Sequence, residues 1–165
     1  CFFLCLLNKY TNFMFEIKIH CESSCDNKGF GFWSFNIILE DGRNNVMGED
    51  VKKTTANELD MLSIVKALEW CKANVYESSH ITVHTTLKYI ADAANNGRIA
   101  NWEKRSWKTS DGKEVKHKDL WIKIDECIND KKNKIEIIFQ PRKRIGEQRK
   151  LEKIVRRSRK IYRER

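Results

Sequence analysis

Residues 101–121, NWEKRSWKTSDGKEVKHKDLW, interleave three tryptophans (Trp102, Trp107 and Trp121) with six cations: Lys104, Arg105, Lys108, Lys113, Lys116 and Lys118. Cations offset phosphate charge, and flat aromatic faces stack on sugars or bases, so this mixture suits a grip on a nucleic-acid backbone. The same composition would also serve a charged, solvated helix pair with its tryptophans in the core. Residues 98–165 hold 23 Lys+Arg against 11 Asp+Glu, while residues 1–97 hold 9 against 12, in a chain of net charge +9. A basic half joined to a near-neutral half suits an anionic partner. Aromatics and folded patterning within the basic half favour nucleic acid over an acidic membrane.

Periodicity predicts the elements that must carry these residues. Phe15, Ile17 and Ile19 alternate with Glu16, Lys18 and His20, which predicts a half-buried strand ending at His20. Residues 21–29 read as a turn-rich connection. FGFWSFNIIL (30–39) is a second strand, Asp41-Gly42 a hairpin turn, and 44–52 a returning strand. A helix is expected over 57–73, with Asp60, Ile64, Ala67, Leu68 and Cys71 on one face. ITVHT (81–85) is a strand, 87–94 a short helix stopped by Asn95-Asn96-Gly97, 120–129 a helix and 134–139 a fifth strand. A last helix over 145–162 sets Leu151, Ile154, Val155 and Ile161 against a dense basic face.

At 165 residues the chain suits one domain with a real core. Met14 opens MFEIKIH directly before the first strand, so 14–165 is expected as the domain and 1–13 as an N-terminal extension. The apolar run at the start is too short to span a membrane. Six cysteines without a C-x-x-C pair imply a reducing, intracellular compartment. His20, Cys21 and Cys25 offer zinc ligands, but no fourth is evident.

The pattern N-W-x-x-R-x-W-K-T-x-D-x-K-x-V-K-x-x-D-L-W closely resembles the basic handle of type 1 ribonucleases H. FEIKI, GFGFW, TTANELDMLSIVKALEW and ITVHTTLKYI extend the likeness over about residues 15–162. The resemblance implies an α/β, ribonuclease-H-like fold. That fold is a mixed five-stranded sheet, three antiparallel strands then parallel ones, with helices on both faces and a basic helical handle. It also implies an activity: cleavage of the RNA strand of an RNA–DNA hybrid with two magnesium ions held by four carboxylates.

Carried over residue by residue, that carboxylate set is degraded. His20 stands at the first aspartate, with Glu22 a substitute two residues on and on the same strand face. Asp60 stands at the helical glutamate, Thr86 at the aspartate after the fourth strand, Arg142 at the mobile histidine and Glu152 at the last aspartate. The grip is kept. Thr55 and Asn57 match hybrid-contacting positions, Ala56 replaces an expected asparagine, and Lys88 sits where a polar contact is expected. Residues 142–165 add 12 Lys+Arg against 3 Asp+Glu. The implied protein binds RNA–DNA hybrid or structured RNA in a larger ribonucleoprotein, viral or organellar complex. It would need no resident cofactor, magnesium or manganese serving only if the site is active. An active hydrolase using Glu22, Asp60 and Glu152 is one alternative, and a protein–protein scaffold is another.

Overall fold

A computed structural model describes residues 15–75, 78–141, 149, 150, 153, 154 and 157. Five strands form one sheet: β1 (Phe15–Cys25), β2 (Gly31–Leu39), β3 (Asn44–Val51), β4 (Ser79–Thr85) and β5 (Lys134–Phe139). Four helices join them: α1 (Ala56–Asn74), α2 (Lys88–Asn95), α3 (Arg98–Lys104) and α4 (Lys118–Ile128). The strand order is β3-β2-β1-β4-β5. The β1–β2 and β2–β3 pairs are antiparallel, and the β1–β4 and β4–β5 pairs are parallel. This is the expected mixed sheet.

The period of two along β1 separates two faces. Ile17, Ile19 and Cys21 are buried on one, with their register partners Ile37 and Phe35 on β2 and Ile81 and Val83 on β4, and the partly buried Leu39 packs at its edge. Helix α1 covers this face. A Cβ added to Gly31 would lie 2.9 Å from Ser24 O and would also strike the Leu59 side chain, so helix and strand approach closely here because residue 31 has none. The expected helical face is buried as predicted: Asp60, Ile64, Ala67, Leu68 and Cys71 all face inward.

The opposite face is polar. One register row across it runs Val46, Asn36, His20, His84 and Ile138, and a second joins Gly48, Ser34 and Glu22. Asn36, Ser34 and Glu22 are buried all the same.

One expectation is corrected. Strand β1 does not stop at His20 but runs to Cys25, because pairing with β2 continues from Cys21↔Phe35 to Cys25↔Gly31. The connection that follows is a tight turn. The Asp26 carboxylate accepts the N–H groups of Lys28 at 2.8 Å and Phe30 at 3.0 Å. The handle is helical over α3 and over the first turn of α4, and between them the backbone is a left-handed turn and a small loop. The helix expected over 145–162 falls largely outside the described residues. Arg149, Lys150, Lys153, Ile154 and Arg157, which lie within it, are helical.

Candidate functional site

The carboxyl ends of β1 and β4 carry His20, Glu22 and His84 on one face of the sheet, Asp60 lies across it on α1, and among the described residues no three His, Cys, Asp or Glu side chains cluster as metal ligands. His20 and His84 are register partners on adjacent parallel strands, and their rings stack at 4.7 Å with 13° between planes. Burial lowers the His84 pKa, and the positive charge of Lys18 on the same face lowers it further. His84 is therefore held neutral, and its buried Nδ1 has no hydrogen-bond partner. Two residues past this pair, β1 presents Glu22, 3% exposed, and the chain leaving β4 presents Thr86.

Asp60 enters from the other side, in the second turn of α1. It too is only 3% exposed. Thr55 caps that helix, its hydroxyl oxygen accepting the Glu58 N–H at 3.3 Å, while the Thr54 hydroxyl donates to the Glu58 carboxylate at 3.1 Å. This cap fixes the helix start and hence the depth at which Asp60 sits.

Cys21 reports on both carboxylates. Burial pushes its thiol up to about 12, and the negative charges of Asp60 and Glu22 act in the same direction against a hydrogen bond to Ser63. In the unfolded chain this thiol ionises near 9.0. The folded value lies above the unfolded one, so its contribution to stability is intact below pH 9 and is lost as pH rises towards 12. The expected result is a lower denaturant midpoint at about pH 10.5 than at pH 8, with a smaller drop in a Cys21→Ala variant.

Zinc ligation by His20, Cys21 and Cys25 is ruled out by the strand. Neighbours His20 and Cys21 face opposite sides. Cys21 and Cys25 lie four residues apart on an extended strand, about 13 Å.

The handle residues divide into support and surface. Trp121 is fully buried and Trp102 is 8% exposed, their rings 5.3 Å apart within the core cluster. Trp102 is therefore corrected from a nucleic-acid contact to a support: its faces are already used. Trp107 is half-buried, with Lys118 Nζ 5.7 Å from its ring centroid. Lys104, Arg105, Lys108, Lys113, Lys116 and Lys118 are all exposed.

Ser106 and Trp107 both take left-handed backbone, φ 54° and 62°, without being glycine. This costs about 1–2 kcal/mol each. The Trp107 N–H donates to Trp102 O at 2.7 Å and the Val115 N–H to Trp107 O at 2.9 Å, which holds the turn. Thr109–Lys113 then closes a loop, its Gly112 at φ 80°. Thr55 and Asn57 are exposed at the start of α1. Lys88 opens α2, its ammonium 3.3 Å from Asp92. Arg142 and Glu152 lie outside the described residues.

A family model for RNase H matches residues 15–140. The chain is 34% identical over 116 residues to the ribonuclease H of Caldicellulosiruptor saccharolyticus, covering 70% of this chain and 77% of that protein. The ribonuclease H of Novosphingobium aromaticivorans is 30% identical with the same coverage. The chain belongs to the ribonuclease H family. The fold agrees. LC9-RNase H1, a type 1 RNase H with the type 2 active-site motif, superposes at TM-score 0.68 and 16% identity over 86% of this chain and 70% of that one. LC11-RNase H1, solved in complex with an RNA/DNA hybrid, gives 0.58 and 17% over 76% and 86%.

Ribonucleases H use magnesium, a hard cation that needs charged oxygen ligands. The described residues of this ribonuclease H supply two carboxylates, Glu22 and Asp60, beside two imidazoles and the Thr86 hydroxyl. Two divalent ions carry four charges and these carboxylates offset two, so the described donor set does not fit a two-ion centre. Glu22 was reachable from the sequence only as a slip along β1. The run Cys21–Cys25 is small and polar, and its place inside the strand shows only in its residue-by-residue pairing with β2.

No described helix is long and apolar enough to cross a membrane.

Proposed function

We propose that this ribonuclease H domain holds RNA–DNA hybrid or structured RNA on its basic handle, has lost two-metal cleavage, and serves as a binding or structural subunit of a nucleoprotein assembly. The strand ends carry the reading: a stacked His20–His84 pair, its His84 held neutral by burial, and Thr86 stand where the resemblance implies carboxylates. Fewer carboxylates leave less repulsion between the cleft and phosphate, while the exposed cations of the handle are retained. LC11-RNase H1, of the same fold, is solved with such a hybrid.

A second reading rests on Glu22 and Asp60. Both are buried and their charges bear on Cys21, and a hydrolase with an unusual metal site, favouring manganese, would draw on them together with Glu152. The test is a labelled RNA–DNA hybrid incubated with and without magnesium or manganese, scoring binding and cleavage together. Salt-sensitive binding without cleavage supports the first reading, and metal-dependent cleavage supports the second.

A further inference from the structure

At the end of the sheet away from Glu22, a groove of about 430 Å³ opens where β1 begins and where β2 and α1 end. Phe15 and Ile17 of β1, Leu39 of β2 and Val75, the residue that caps α1, give it apolar walls. Ile17 and Leu39 are register partners, and Phe15 follows on the same face of its strand, so the apolar surface is continuous. Ile17 is buried, Leu39 and Val75 are half-buried, and Phe15 is 39% exposed. The mouth is acidic. Asp41 and Arg43 stand on it as an ion pair at 2.7 Å, and Glu16 and Glu40 add two carboxylates, Glu16 also meeting His80 Nδ1 at 3.1 Å.

The chain reaches this groove through Phe15 itself. Residues 1–14 lead into it and begin with CFFLCLL, seven consecutive apolar side chains. Such a run is unfavourable in water and too short to cross a membrane. Residues 8–14 separate it from β1, a span of at most about 25 Å. That tether holds the run beside the groove at an effective concentration of about millimolar. Another molecule would have to bring an apolar segment of its own at that concentration to compete. Lys9, two residues past the run, carries the charge that complements an acidic mouth.

We infer that the groove seats side chains of the chain's own apolar run, residues 1–7, with Lys9 at the acidic mouth. A groove of this volume holds side chains of one segment and not a folded domain. The contact completes the core at the end of the sheet opposite the handle.

The test is disulfide trapping in the full chain, using Cys5 within the run. Asn74→Cys puts a thiol on an exposed residue of the groove, and Ser110→Cys puts one on the exposed handle loop, beside the start of α1 and not its end. Mild oxidation with glutathione disulfide at micromolar protein, followed by peptide mapping, should join residue 5 to residue 74 within one chain at least about tenfold more than to residue 110. Phe2→Ser, Phe3→Ser, Leu4→Ser and Leu6→Ser together should abolish that preference and lower the thermal midpoint by at least about 5 °C. Equal trapping at the two positions, or a serine variant that melts like the natural protein, would overturn the inference. Trapping only between chains, seen as a dimer on a non-reducing gel, would overturn it as well and give the groove to a second copy.

Discussion

Raising salt from 50 to 200 mM is expected to weaken hybrid binding by about 500-fold. The figure follows from counterion release. A handle that neutralises about five phosphates gives a log–log slope of about −4.5, and a fourfold rise in salt then costs nearly three decades. The exposed cations Lys104, Arg105 and Lys108 stand at the end of α3 and on the loop that follows. Changing all three to alanine should flatten the slope to about −2. The thermal midpoint should hardly move, because exposed substitutions of this kind stay within about 0.5 kcal/mol each. Titrations by anisotropy at five salt concentrations, with a melting curve for each variant, give both numbers. A slope that the triple variant leaves unchanged would remove the handle as the grip.

The second large effect separates the two catalytic readings. Asp60 is buried in α1 close to Cys21, and it is the residue we propose to stand at the family's metal-binding carboxylate. In an active enzyme, removing such a ligand lowers the rate by about a thousandfold, about 4 kcal/mol of transition-state stabilisation. In the proposed binding domain Asp60→Asn has no cleavage to reduce. It should tighten hybrid binding slightly, since one negative charge leaves a domain that binds phosphate. The measurement is single-turnover cleavage of labelled hybrid in magnesium and in manganese, for the natural protein and for Asp60→Asn. Metal-dependent cleavage that disappears in the variant would sink the binding-only reading. Restoring His20→Asp, Asp60→Glu, Thr86→Asp and Glu152→Asp together should return some magnesium-dependent cleavage if missing carboxylates are the whole defect.

Much of the fold was legible because its signals are local. The 3.6-residue period over 57–73 placed Asp60 on a buried face, and β5 has the expected bounds because KIEIIF is bounded by polar turns. The end of β1 was not legible. Cys21 to Cys25 is small and polar, which reads as a turn in isolation. It is a strand because β2 pairs with it residue by residue and Asn36, Ser34 and Glu22 are buried on the second face. That is a tertiary effect, invisible to periodicity, and it decides that Glu22 is a rigid strand residue and not a loop one. Trp102 failed for a different reason. Helix α3 has seven residues, too few for a period to tell a core tryptophan from a surface one. The left-handed Ser106–Trp107 turn carries no glycine to announce it.

That turn has a consequence for the energetics of recognition. A flexible basic loop would lose conformational entropy each time it closed on a ligand, and that loss would come out of its affinity. Here two residues are already held in an unfavourable backbone region by hydrogen bonds to Trp102 and Val115. The ordering cost is met once, when the chain folds, from the burial of Trp102, Val115 and Trp121. If the proposed grip holds a polyanion, the encounter is closer to rigid docking than to coupled folding, and selectivity between strands of different shape would follow from a spacing of charges that the ligand must match and cannot remould.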